Sequence, residues 1–107
     1  MKEITSPVKE FSGSVILSDP LTFPQLVKWV DASNAAEAVE DNFVAKRMAW
    51  LPGIIACVEE WHIEGIPEEP MPETFPCTPF KAALMVTNWL IGEINAIIAG
   101  EDTNPNA

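Results

Sequence analysis

The stretch TPFKAALMVTNWLIGEINAIIAG, residues 78–100, gives the clearest indication of the fold. Thr78 is a typical N-cap, Pro79 suits the first helical position, and Gly100 is a typical helix terminator. Between these residues an almost continuous apolar stripe recurs at helical spacing, made of Phe80, Ala83, Leu84, Thr87, Leu90, Ile91, Ile94, Ile97 and Ile98. The stretch therefore predicts a long, well-capped helix whose stripe lies in the core.

A helix is also predicted to begin at Thr22, which can cap it, with Pro24 in its first turn. Its predicted core face is apolar at helical spacing and comprises Phe23, Leu26, Val27 and Val30. Ser33 and Asn34 are weaker helix formers, so we expect this helix to end near them.

The middle of the chain predicts helices with interruptions. Residues 35–40 favour a helix by composition, and residues 41–42 are expected to interrupt or cap it. Residues 43–61 place apolar side chains at helical spacing, but Pro52 and Gly53 are expected to break that helix in its middle. The fold class predicted is mainly α, a small domain of about four helices with an N-terminal β-strand or hairpin.

Residues 11–17 are the best strand candidate, because apolar and polar side chains alternate along them. One predicted face carries Phe11, Gly13, Val15 and Leu17. A lone strand cannot satisfy its own backbone, so it must pair with residues 4–8, a second copy or another protein. Residues 1–9 and 101–107 are predicted to be a flexible arm and tail of a single helical domain, residues 1–107.

Composition narrows the classes of function. The chain has 107 residues, 16 acids against 6 bases and a formal net charge of −10. Such a charge repels phosphate backbones and anionic membranes, so neither nucleic acid nor membrane is an expected partner. It favours either solubility alone or a basic protein partner. No apolar run reaches the ~18 residues of a membrane span, and residues 1–6 do not resemble a signal peptide, so we expect a cytoplasmic protein.

Candidate groups for catalysis are few. Cys57 and His62, placed on one helix, would diverge by roughly 140° and could not bind one ion. Cys77 precedes a predicted helix N-terminus, which can lower a thiol pKa, but it has no evident base. The five glycines are scattered and form no phosphate-binding loop. We expect no enzyme activity, no metal and no cofactor.

The apolar content exceeds what a small core requires. The chain has four Trp, a residue type enriched at binding hot spots, although all four can instead belong to the core. Val86 and Trp89 lie beside the main stripe of the helix over residues 78–100 and widen its apolar surface. The side chains predicted to contact protein partners are Phe11, Val15, Leu17, Trp61, Val86 and Trp89.

Three stretches carry a family resemblance: DPLTFPQLVKW at residues 19–29, CVEEWHIEGIPE at 57–68 and FPCTPFKAALMVTNWLIGEI at 75–94. The pattern resembles the tail-assembly chaperones of long-tailed bacteriophages, and it covers residues 15–105. The resemblance implies binding to the tape-measure protein and to tail-tube subunits, and self-association. A long extension of the kind made by ribosomal frameshifting in that family is not visible within these 107 residues.

Two other functions remain open at this point. The chain can be a structural virion component, such as a head-tail connector or a tube-associated protein. It can also be a small metal or thiol enzyme that uses Cys57, His62 or Cys77, which the geometry above disfavours.

Overall fold

The structure is a computed structural model that describes residues 1–39, 43–64 and 80–103. It is mainly helical, as predicted, but within these residues three α-helices form rather than four. In chain order the elements are β1 (Lys2–Thr5), β2 (Gly13–Leu17), α1 (Phe23–Ala38), α2 (Phe43–Cys57), β3 (Val58–Ile63) and α3 (Phe80–Thr103), with a short 3₁₀ turn at Lys9–Phe11 before β2. All three helices and all three strands contribute side chains to one buried core.

The strands form an antiparallel sheet of order β1-β2-β3. The predicted strand is confirmed over Gly13–Leu17, and the hairpin with the preceding residues forms. A flexible arm over residues 1–9 is therefore wrong for Lys2–Thr5, which is β1. Alternation places one set of side chains towards the helices, and that buried set is Ile4, Val15, Leu17, Trp61 and Ile63.

The residues after Cys57 form strand β3, where the sequence predicts a continuing helix. In the pairing with β2, Ile16 lies opposite Glu60 and Leu17 lies opposite Val58, so Glu59 is an extra residue at a β-bulge. The bulge lets Val58 and Trp61, three positions apart, both pack against the core. A spacing of three is also helical, which is why the pattern indicated a helix.

Helix α2 continues through Pro52, so the predicted break at Pro52 and Gly53 is wrong. A proline inside a helix costs roughly 3 kcal/mol. The neighbouring Leu51 and Ile54 are almost completely buried, and burying each contributes about 1.5–3 kcal/mol. Burial of these two side chains therefore outweighs the local preference for a break.

Both other helices are longer than predicted. Helix α1 continues past Asn34 to Ala38, which removes one of the expected helices. Helix α3 includes Gly100 and ends at Thr103, since Gly100 does not adopt the left-handed conformation of a terminating glycine. The interruption at residues 41–42, the segment 65–79 with Cys77, Thr78 and Pro79, and residues 104–107 lie outside the described residues.

The three helices meet at Trp29 on α1. Its ring packs against that of Trp50 with centroids 4.7 Å apart, and its Nε1 donates a hydrogen bond to Oδ1 of Asn95 at 3.3 Å. Gly53 of α2 lies so close to α1 that a Cβ added there would be 2.8 Å from Cβ of Ala32. The small residues at this crossing let the two helices approach closely enough to bury Trp29.

Gln25 fixes the beginning of α1. Thr22 and Gln25 form the capping box, in which each side chain accepts a hydrogen bond from the other residue's backbone N–H. The Gln25 Nε2 also donates to Oγ of Ser18 at 2.8 Å and to the carbonyl oxygen of Ala56 at 3.0 Å. One side chain thus joins α1 to the end of β2 and to the last turn of α2.

Replacement of Gln25 by alanine is expected to lower the free energy of unfolding by roughly 1.5–4.5 kcal/mol, because its side chain makes three hydrogen bonds that contribute about 0.5–1.5 kcal/mol each. Chemical denaturation measures the change. Asn34→Ala is the matched control, since Asn34 is exposed on the same helix. Equal stability of the two variants would contradict the anchoring role of Gln25.

Candidate protein-binding surface

Helix α1 is apolar on two opposite faces. Its buried side chains are Trp29, Ala32 and Ala36. A second set, Phe23, Val27 and Val30, occupies an arc of about 60° whose centre is roughly 160° away from the buried face. The helix therefore uses one apolar face for the core and leaves the other without a partner among the described residues.

The sequence predicted a core face of Phe23, Leu26, Val27 and Val30. That prediction is wrong for Phe23, Val27 and Val30, which are exposed, whereas Leu26 is partly buried. The exposed fractions are 77% for Phe23, 43% for Val27 and 47% for Val30. The opposite face carries the larger side chain, Trp29, beside alanines that permit close approach of α2. Burial of a tryptophan removes more apolar area from water than burial of valines, so the Trp29 face is the one buried. We call residues 23, 27 and 30 the outward face of α1.

Polar and charged residues border the outward face. Asp31 and Glu37 are exposed on α1, and Asn34 follows Val30 at the next position of the stripe. The basic residue Lys28 lies further round the helix, towards α2. A shallow groove of about 350 Å³ begins at Asp31 and runs between α1 and α2, lined by Lys28, Asp31, Ala32, Ala35, Ala49 and Pro52. Asp31 thus lies between the outward face and this groove.

The six side chains predicted to contact partners lie in or against the chain's own core. Val15, Leu17 and Val86 have no exposed surface, and Trp61 is buried on β3. Phe11 and Trp89 are partly buried and pack against the same core. A partner reaches the fully buried side chains only if the fold opens. The sequence did contain a signal for the outward face. Trp29, Ala32 and Ala36 form a second apolar stripe on α1, and if that stripe is buried the first one is left exposed.

Two of the three residues considered for chemistry, Cys57 and His62, lie on different elements. Cys57 ends α2 and is fully buried, whereas His62 is exposed on the outer face of β3, with its Nε2 3.2 Å from Oε1 of Glu60. The divergence of roughly 140° expected for two positions on one helix therefore does not apply, because His62 lies on a strand. Burial raises the pKa of the Cys57 thiol from 9.0 to about 11. A thiol held neutral in this way is a poor nucleophile and a poor metal ligand.

The Cys57 thiol predicts a loss of stability in alkali. Its pKa is higher in the folded chain, so the unfolded chain loses its proton first, and stability is lost as pH rises from 9 towards 11. A shift of about two pKa units corresponds to at most roughly 2.7 kcal/mol. Urea denaturation between pH 8 and 11 measures this slope. In Cys57→Ala the thiol's contribution to this pH dependence should be absent. If stability fell with pH as steeply in Cys57→Ala as in the wild type, the prediction would be contradicted.

Among residues 1–39, 43–64 and 80–103, no three His, Cys, Asp or Glu side chains are grouped so as to hold a metal ion. None of the helices, over their described residues, is long and apolar enough to cross a membrane. No protein family, curated protein or solved structure matches this chain.

Proposed function

We propose that this chain is a protein-binding chaperone of phage tail assembly that acts in the host cytoplasm. The observation that supports this most is the outward face of α1, where Phe23, Val27 and Val30 expose apolar surface on the side opposite the core. A contiguous apolar patch on a soluble domain marks a contact with another molecule. A chaperone is expected to bind a client temporarily at such a face and to release it later.

The size of the outward face fits transient binding. Full burial of one apolar side chain contributes about 1.5–3 kcal/mol. The exposed fractions of Phe23, Val27 and Val30 together amount to about one and two-thirds side chains. Covering them contributes about 2.5–5 kcal/mol, or roughly a hundredfold to a few thousandfold in the binding constant. Such a contribution holds a client without making its release slow.

The clients in this proposal are the tape-measure protein and, alongside it, tail-tube subunits. A tape-measure protein is a long helical chain, and an isolated helix with an apolar stripe needs a partner surface to remain soluble. The outward face of α1 offers such a surface, and the net charge of −10 keeps the pair in solution.

Co-expression with a phage tape-measure protein tests the proposal. The wild-type chain should raise the soluble fraction of the tape-measure protein, and the double variant Val27→Ser/Val30→Ser should lose most of that effect. Val44→Ser is the matched control, because Val44 is 46% exposed on α2 and lies off the outward face. The proposal would be contradicted if the wild-type chain did not raise the solubility of the tape-measure protein. It would also be contradicted if the wild type, the double variant and Val44→Ser all raised it equally.

A structural virion component, such as a head-tail connector or tube-associated protein, is the alternative. In that case the same apolar face stays covered in the finished particle, whereas a chaperone leaves before completion. Mass spectrometry of purified virions separates the two, since only the structural component is present in stoichiometric amounts.

Self-association remains a prediction. The sheet order β1-β2-β3 leaves one edge of β1 and one edge of β3 without a strand partner among the described residues. Edge pairing is a common route by which copies associate. Sedimentation over a range of concentrations tests it, and a monomer at every concentration would refute it.

A further inference from the structure

The spacing of the outward face matches the seam of a coiled coil. Phe23, Val27 and Val30 are separated by four and three residues, and Asn34 follows after four more. Steps of four and three are those of alternate d and a positions in a heptad, where each side chain packs into the facing helix. The arc of about 60° keeps all three apolar side chains on one line along α1. The surface is therefore shaped for a single helix laid along it.

The exposed charged residues nearest this line are acidic, one beside the line and one at its end. Asp31 is exposed on one flank, and Glu37 is exposed at the far end of the stripe. Lys28 lies on the groove side, away from the line, and Lys46 donates a hydrogen bond to the carbonyl oxygen of Ala36 at 3.2 Å. Flanking charges in paired helices select partners of opposite sign.

These charges distinguish between two occupants. A second copy packed through the same face would bring its own Asp31 and Glu37 to this surface, and each copy carries a net charge of −10. Like charges placed together at an interface weaken association and exclude wrong partners. A helix with lysine or arginine beside its apolar stripe would instead place opposite charges next to Asp31 and Glu37, which favours association.

We infer that the outward face of α1 binds a basic amphipathic helix of a partner protein and not a second copy of this chain. The inference rests on the proposed protein-binding function and adds the chemical class of its partner.

Three synthetic peptides test it, each of 21 residues in heptads with Leu at positions a and d, and with Lys, Gln or Glu at the flanking e and g positions. Fluorescence anisotropy measures binding of each labelled peptide to the full chain. The Lys peptide should bind at least about tenfold tighter than the Glu peptide, with the Gln peptide between them, and added salt should reduce the difference. Asp31→Lys/Glu37→Lys should reverse the preference.

Val30→Ser should weaken binding of the Lys peptide at least about fivefold, whereas Val44→Ser, at an equally exposed valine, should leave it unchanged. Denaturation curves of both variants should match the wild type, which excludes misfolding as the cause. Equal binding of the three peptides overturns the inference while the solubility test of the proposed function can still succeed. A concentration-dependent dimer that Val30→Ser dissociates also overturns it, because the face then binds a second copy.

Discussion

Gly13→Ala is expected to destabilise the fold by about 3 kcal/mol or more, or to prevent folding. Gly13 has a φ of 138°, a conformation that costs other residues about 1–3 kcal/mol. A Cβ at this position would also overlap the carbonyl oxygen of His62 on β3. Relief of that overlap requires β2 and β3 to separate at the Gly13–Ile63 pair, where the buried Ile63 side chain joins the core.

Gly92→Ala is the matched control for Gly13→Ala. An added Cβ at Gly92 meets no atom of another described element within 4 Å, and the residue lies inside α3. Alanine there should raise the free energy of unfolding by about 0.5–1 kcal/mol, because glycine is the poorer helix former. Thermal and urea denaturation measure both variants. A Gly13→Ala protein as stable as the wild type would contradict the close contact between β2 and β3.

Trp29→Ala is expected to cost about 3–5 kcal/mol, the range for removing a buried tryptophan. The loss includes the packing against Trp50 and the hydrogen bond to Asn95, so it affects all three helices. Trp29→Phe should cost less, since it keeps part of the ring contact and removes the hydrogen bond. Urea denaturation followed by circular dichroism measures both.

Phe23→Ala gives the comparison that decides which face of α1 is buried. Phe23 is 77% exposed, so its removal should change the free energy of unfolding by no more than about 0.5 kcal/mol. If Phe23→Ala were as destabilising as Trp29→Ala, the two faces of α1 would be interchanged and the outward face would not exist.

Local rules predicted those parts of the fold in which one short segment determines the outcome. Thr22 and Pro24 marked the beginning of α1 because caps and first-turn prolines act within a few residues. The alternation around Val15 and Leu17 marked β2 because its inner face is fully buried. The apolar stripe of α3 was also correct in its centre, where Leu90 and Ile94 have no exposed surface.

The errors arose where tertiary contacts decide between local alternatives. Glu59 forms a bulge only because β2 is present to pair with β3, and Pro52 stays helical only because its neighbours are buried. Val86 was placed beside the stripe of α3, but it is fully buried because the core covers a wider arc of that helix than the stripe.

The candidate site was missed for the same kind of reason. Helix α1 presents two apolar stripes, and periodicity alone cannot rank them. The position of Gly53 against Ala32 and Trp29 selects one stripe for the core. Only after that choice does the other stripe, containing Val27 and Val30, become an exposed apolar surface.

We propose that the outward face of α1 is where this chain binds a partner helix. Nuclear magnetic resonance of the isotope-labelled chain, titrated with the Lys-flanked peptide, tests it residue by residue. The largest amide shift changes should fall on Phe23, Val27, Val30 and Asp31, with β3 and α3 little affected. Largest changes on β3 or α3, with α1 unaffected, would contradict the claim.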